Sequence, residues 1–171
     1  SPAVCALPPA ESGIIAKTAH RFSTLHAPPA SGFLALSDNQ AAYEWRLNLV
    51  DQAVQSIDVQ YFIWQNDATG VLLFDRMLKA ADRGVRVRML LDHLTTKDTD
   101  FKFSQMDDHP NIEIRLYNPF ANRRFQLLEF LFSLERLNHR MQNKAFIVDN
   151  AMAIVGGRNI GNNYFGVDAA S

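Results

Sequence analysis

The sequence predicts an α/β protein: a layered, mixed β-sheet flanked by helices. Runs with alternating side chains recur between runs whose apolar residues fall at helical spacing. That alternation of strand and helix specifies a layered α/β sheet. Near the C-terminus two short apolar runs flank a tight turn at Asn150, a hairpin that makes the sheet mixed. The 171 residues suffice for one domain with a real core, not two.

Residues 1–32 carry Pro2, Pro8, Pro9, Pro28 and Pro29 with little periodicity, and are expected to be a leader or linker with one weak helical turn near Ile14. The domain proper is expected over residues 33–171. Because the chain opens on Ser1 rather than methionine, an upstream segment is expected to have been removed. Cys5 reads as an ordinary thiol near a terminus. The alternative is the lipidated cysteine of a bacterial lipoprotein, against which Val4 is larger than the usual preceding residue.

From Gly32 the pattern is regular. Phe33–Leu36 is expected as a short strand, and Ser37 with Gln40 has capping-box spacing. Tyr43, Leu47, Val50 and Val54 then form one helical face. Ile57, Val59, Tyr61 and Ile63 alternate with Asp58, Gln60, Phe62 and Trp64 along a strand expected to be mostly buried on both faces. A second helix presents Val71, Phe74, Leu78 and Ala81 and stops at Gly84. Val85, Val87, Met89 and Leu91 form a strand whose end delivers Asp92 and His93. A polar loop leads to a short helix near Phe103–Met106, and Ile112, Ile114 and Leu116 make another strand, closed by Asn118-Pro119. Phe125–Leu137, preceded by Arg123 and Arg124, is apolar almost all round. Such a helix is usually buried; the alternative is a face offered to lipid or a partner.

A net charge of −1 lacks the basic field that strong non-specific nucleic-acid binding needs. One cysteine excludes an internal disulfide and a cysteine-rich metal site. No apolar run approaches the roughly 18–20 residues that span a bilayer.

The chemistry concentrates between Arg140 and Phe165. Gln142 and Lys144 stand two apart, so a strand would place both on one face, with Asp149 on the other. Gly156 and Gly157 allow close approach of backbone to a ligand. Asn159 is expected at a helix N-terminus, where free N–H groups favour an anion, although it also suits a simple cap. Together these residues suggest a phosphate-binding corner with one cation and one amide. His139 lies three residues before Gln142, on the opposite strand face, and is expected at the surface; His93 and His109 are expected to face solvent.

This stretch resembles the signature of the phospholipase D superfamily: H-x-K-x4-D, then G-G-x-N and, in its lipid synthases, I-G-[DN]-x-Y-F. Lys144, Asp149, Gly156, Gly157 and Asn159 match it, as does I-G-N-N-Y-F from Ile160. Gln142 departs from it, standing where the family has its nucleophilic histidine. S-G-F-L-A-L-S-D, D-V-Q-Y-F-I-W, A-A-D-R-G-V-R-V-R-M-L-L-D and H-P-N-I-E-I-R-L-Y-N-P-F also look like bacterial cardiolipin synthases, so the resemblance runs from about Gly32 to Phe165. The most similar branch carries H-R-M-H-N-K at its first signature, which makes this chain look like the N-terminal half of such an enzyme.

The resemblance implies the fold of one half of a two-half enzyme, the other half lying in the same longer chain or in a homodimer mate. It implies phosphatidyl transfer between phospholipids through a phosphohistidine, with hydrolysis as a side activity. The second half's histidine would protonate the leaving alcohol. Lysines and asparagines would hold the non-bridging oxygens, with no metal or other cofactor. Phospholipids of the phosphatidylglycerol or phosphatidylethanolamine class would be substrates, at a membrane surface of a bacterial cell envelope. Lys144 alone would read as an exposed strand lysine; the glycines and Asn159 at the family's spacing favour the phosphate role. Asp149 is expected to stabilise the turn or support the site from outside it. Gln142 has an amide lone pair delocalised into its carbonyl, so it donates a hydrogen bond but does not attack phosphorus. Either this half is degenerate or histidine has been replaced to trap substrate. Two rivals stand beside this reading. A homodimeric, metal-independent nuclease is disfavoured by charge and by G-G-R-N-I-G-N-N-Y-F. A non-catalytic phospholipid- or partner-binding module is kept open by Gln142.

Overall fold

A computed structural model of the chain describes residues 6–26, 30–92, 108–117 and 142–167. Its elements are α1 (Gly13–Leu25), α2 (Asn39–Gln52), β1 (Ser56–Tyr61), α3 (Ala68–Asp82), β2 (Arg86–Asp92), β3 (Ile112–Tyr117), β4 (Ala145–Val148), β5 (Met152–Val155) and α4 (Asn162–Phe165). The five strands form one sheet in the order β3-β2-β1-β4-β5. β1, β2 and β3 are parallel, whereas β4 runs antiparallel to both β1 and β5, giving the mixed sheet.

Alternation on the central strands decides where the core lies. Ile57, Val59 and Tyr61 from β1 and Val87, Met89 and Leu91 from β2 are fully buried, in one cluster with Leu49 and Val50 of α2 and Leu73 and Met77 of α3. The reverse face is polar and half-buried rather than apolar. There Asp58 on β1 pairs with Arg88 and, at 3.9 Å, with Arg86, both on β2. Cross-strand charge pairs can cover a sheet face because opposed residues bring their side chains together.

Several local expectations shift. Phe33–Leu36 is not a strand: among the described residues no strand pairs with it, and Phe33 is 96% exposed. Arg158 instead holds the Leu36 and Ser37 carbonyls through Nη1 and Nη2 at 2.9 and 2.8 Å. The cap of α2 is Asp38, one residue later than Ser37; its carboxylate accepts from the Ala41 N–H at 2.7 Å. Val54 lies beyond that helix and is exposed. On α3 the buried stripe is Leu73, Phe74, Met77, Ala80 and Ala81, so Val71 faces outward. α1 is a full helix of 13 residues rather than one turn, with Ile15 and Ala16 buried. Its lead-in is fastened to the distant hairpin: the Ala10 N–H donates to the Asp149 carbonyl at 2.9 Å, and Asn150 Nδ2 to the Leu7 carbonyl at 2.8 Å. Non-local bonds of this kind leave no periodic trace in sequence. His109 is half-buried beside Asp82, its Nε2 at 3.3 Å from the carboxylate, rather than facing solvent. Cys5, His93, Phe103–Met106, Asn118-Pro119, Arg123, Arg124, Phe125–Leu137 and His139 lie outside the described residues. No described helix is long and apolar enough to cross a membrane.

Gly70 shows how tightly the start of α3 meets β1's continuation. A Cβ there would stand 1.9 Å from the Gln65 carbonyl oxygen, and Trp64 Nε1 already donates to the Gly70 carbonyl at 3.2 Å. Because the obstacle is backbone, Gly70→Ala should cost about 3 kcal/mol of stability. Urea denaturation checks this; a loss below about 1 kcal/mol would mean that the junction yields freely.

Candidate active site

The parallel strands β1, β2 and β3 end on one side of the sheet, the side where open α/β sheets take their ligands. β4 runs against β1 with Ala145 opposite Gln60, so the residues just before β4 arrive at the same end. These are Gln142, Asn143 and Lys144, which precede the strand rather than lie within it. The Lys144 ammonium donates to the Gln142 carbonyl at 3.0 Å and stands 5.9 Å from the centroid of the Phe62 ring. The Asn143 amide donates to Gln60 Oε1 at 3.2 Å, fixing the segment against β1. The Gln142 side chain is exposed.

Asn159 approaches the same end by a different route. Its Oδ1 accepts from the Ile63 N–H and its Nδ2 donates to the Tyr164 hydroxyl, each at 3.1 Å, and the side chain is buried. Backbone bonds continue the contact: Ile160 N–H to the Ile63 carbonyl at 3.1 Å, and Gln65 N–H to the Ile160 carbonyl at 2.9 Å. Lys144 and Asn159 thus meet consecutive residues just past the end of β1: the Lys144 ammonium lies over the Phe62 ring, and the Asn159 amide is bonded to Ile63. Gly156 and Gly157 form the bend between them, with the Gly156 N–H donating to the Lys144 carbonyl at 3.3 Å.

The helix expected at Asn159 begins later. α4 starts at Asn162 and has four residues, so Asn159 is a brace in irregular backbone rather than part of a helix N-terminus. Asp67 sets that start. One oxygen of its carboxylate accepts from the Gly70 N–H at 2.9 Å, capping α3, while the other takes the Asn162 N–H at 2.6 Å. Asn162 Oδ1 in turn accepts from the Thr69 N–H at 3.0 Å. Sequence reasoning missed this clamp; its one visible signal was an aspartate just before a helical run. It also missed Arg158, whose Nε donates to Asn39 Oδ1 at 3.0 Å while its other nitrogens hold the 36–37 carbonyls.

Asp149 sits at the opposite end of β4 from Lys144 and is fully buried. Its Oδ1 accepts from the N–H groups of Gln55 and Ser56 at 2.8 and 3.0 Å, and its Oδ2 from that of Val54 at 3.1 Å. Asp149 and Asn150 take φ of 54° and 48°, the left-handed pair that a type I′ turn needs, and the Ala151 N–H closes the turn on Val148. A cleft of about 740 Å³ reaches Gly156 and Gly157, but its lining contains neither Gln142, Lys144 nor Asn159. Chemically, the corner offers one ammonium, side-chain amides and glycine backbone, the kinds of group that suit an anion. Gln142 gives it no nucleophile.

Residues 47–169 match the family described as "Cardiolipin synthase, PLD-like domain". The chain is 47% identical over 139 residues to cardiolipin synthase C of Escherichia coli (strain K12), covering 81% of this chain and 29% of that protein. In shape it is similar to NucT from Helicobacter pylori, with a TM-score of 0.56 at 17% identity over 78% of this chain and 76% of that one. It is also similar to phosphatidylserine synthase of Haemophilus influenzae Rd KW20, with a TM-score of 0.57 at 15% identity over 77% and 29% of the two chains. The two solved structures agree with the layered α/β fold, and the chain spans less than a third of its E. coli relative. With most of its length matched, this chain belongs to the cardiolipin synthase family of PLD-like domains.

Proposed function

We propose that the chain forms one half of a phosphatidyltransferase site that takes a phospholipid phosphodiester, of the phosphatidylglycerol or phosphatidylethanolamine class, at a bacterial membrane surface. One observation carries this reading. Lys144 lies over the Phe62 ring and Asn159 is bonded to the next residue, Ile63, at the end of the sheet where the parallel strands finish. Lys144 supplies positive charge for a non-bridging oxygen. Gly156 and Gly157 let that oxygen approach backbone, and Asn159 contributes the amide hydrogen that Tyr164 does not use. Asp149 supports the turn from outside the site.

In the double displacement, an imidazole nitrogen attacks phosphorus and the first alcohol leaves with a proton from the second half. A second alcohol then attacks the phosphohistidine, giving its proton back to the second half's base, and the imidazole is freed with the phosphodiester re-formed on the new oxygen. Gln142 occupies the attacking position without a basic nitrogen, so this half binds and orients while covalent chemistry requires a histidine. The second half comes from the same longer chain or from a homodimer mate. Flotation with phosphatidylglycerol vesicles beside a DNA-binding assay tests the substrate class. The chain should float and leave DNA unbound; DNA binding without flotation would favour the nuclease instead.

A further inference from the structure

Beside Asn159, the hydroxyl of Tyr164 carries a proton that the fold does not use. The directions of the hydrogen bonds fix this. The Ile63 N–H can only donate, so the Asn159 atom it meets is the carbonyl oxygen, and the amide nitrogen faces Tyr164. An amide nitrogen also only donates. The phenol oxygen therefore accepts, at 3.1 Å, and its own hydrogen points elsewhere. Among the described residues nothing accepts that hydrogen. The side chain is half-buried and packs against the core.

The backbone that presents this phenol is fastened on both sides. Asp67 takes the Asn162 N–H at 2.6 Å, and the Tyr164 N–H donates to the Gly161 carbonyl at 3.0 Å. Next to Tyr164, Phe165 is buried with its ring centroid 4.8 Å from that of Tyr43. The Tyr43 hydroxyl is itself tied to the Thr69 carbonyl, at the start of α3, at 2.6 Å. A donor held this way needs little reorganisation when an anion arrives.

We infer that Tyr164 is a further phosphate-binding residue, whose hydroxyl donates to an oxygen of the phosphodiester that Lys144 and Asn159 hold. This rests on the reading of the corner as a phosphodiester site. From the Ile63 N–H through the Asn159 amide to the Tyr164 hydroxyl, every bond donates in the same sense, and the run ends in a donor. Such a chain polarises its members, and a bond to a charged oxygen is stronger than one between neutral groups. The Lys144 ammonium is a point charge on a flexible stem, so it attracts the phosphate without orienting it. The hydroxyl supplies a direction.

Phosphorus NMR titrations test this with dimethyl phosphate, which has no headgroup hydroxyl, and with glycerophosphoglycerol. The proteins are the chain, Tyr164→Phe, Lys144→Gln, and the chain with a ring-fluorinated tyrosine in place of Tyr164. Tyr164→Phe should bind both ligands at least about tenfold more weakly while remaining folded. Fluorine makes the phenol a better donor and a poorer acceptor, so the fluorinated protein should bind both more tightly than the chain does. Were the hydroxyl needed only to hold Asn159, the poorer acceptor would loosen that amide and weaken binding, which would overturn the proposal. Unchanged binding by Tyr164→Phe beside weakened binding by Lys144→Gln would overturn it too, and leave the phosphodiester reading standing. Unchanged binding in both variants would contradict that reading as well. A loss confined to glycerophosphoglycerol would move the hydroxyl from the phosphate to the headgroup and so overturn the assignment. If Tyr164→Phe does not fold, the sign of the change in the fluorinated protein decides.

Discussion

Gln142→His should raise phosphatidyl transfer on the order of a millionfold in a protein that also carries the second half with its own histidine intact. That is the scale of loss when a protease is stripped of its nucleophile. A glutamine amide has its lone pair committed to the carbonyl, whereas imidazole, with a pKa near 6.5, offers a neutral, nucleophilic nitrogen at working pH. The rest of the corner does not need to move, because Gln142 is exposed and its recorded bond is made by its backbone carbonyl. Stability should therefore change by less than about 0.5 kcal/mol. The unaltered chain, alone or as a symmetric dimer, should show no turnover, since every site it forms repeats the glutamine. Turnover of a fluorescent phosphatidylglycerol by both versions is the measurement. Equal and substantial rates would place the nucleophile elsewhere.

Asp149→Ala should unfold or nearly unfold the domain, at a cost of about 4 kcal/mol. Removing the carboxylate orphans the N–H groups of Val54, Gln55 and Ser56, each costing about 1–3 kcal/mol where water does not replace the partner. Alanine would also have to hold φ near 54°, adding roughly 1 kcal/mol. Asp149→Asn keeps one acceptor oxygen and should lose about half as much. Denaturant titration of both variants gives the comparison. A cost below about 1 kcal/mol for alanine would mean that the knot between the α2–β1 junction and the hairpin is replaceable by water.

The two residues also show what can be read from sequence. β1, β2 and β3 were legible because buried side chains every second residue leave a direct mark, and the hairpin because Asp149-Asn150 tolerates left-handed backbone. The meeting of Gly156 with Lys144 follows from that same local hairpin, which brings the two backbones together. Phe33–Leu36 was not: its apolar character suits a strand, but a strand exists only where another pairs with it. Asn159 was misplaced because its structural partner, the Ile63 N–H, lies 96 positions away in the chain. Arg158 braces the 36–39 segment across more than a hundred residues, and no local pattern encodes that. Periodicity reports burial; it does not report which distant backbone group a buried amide or guanidinium will satisfy.

The corner around Lys144 should hold a phosphodiester. Phosphorus NMR titration of glycerophosphoglycerol, the water-soluble headgroup, into the chain and into Lys144→Gln tests it without requiring turnover. The chain should give a saturable shift, and the variant should bind at least about tenfold more weakly while its fold and stability are unchanged. Identical titrations of the two proteins would show that the phosphate does not sit at Lys144, and would contradict the account.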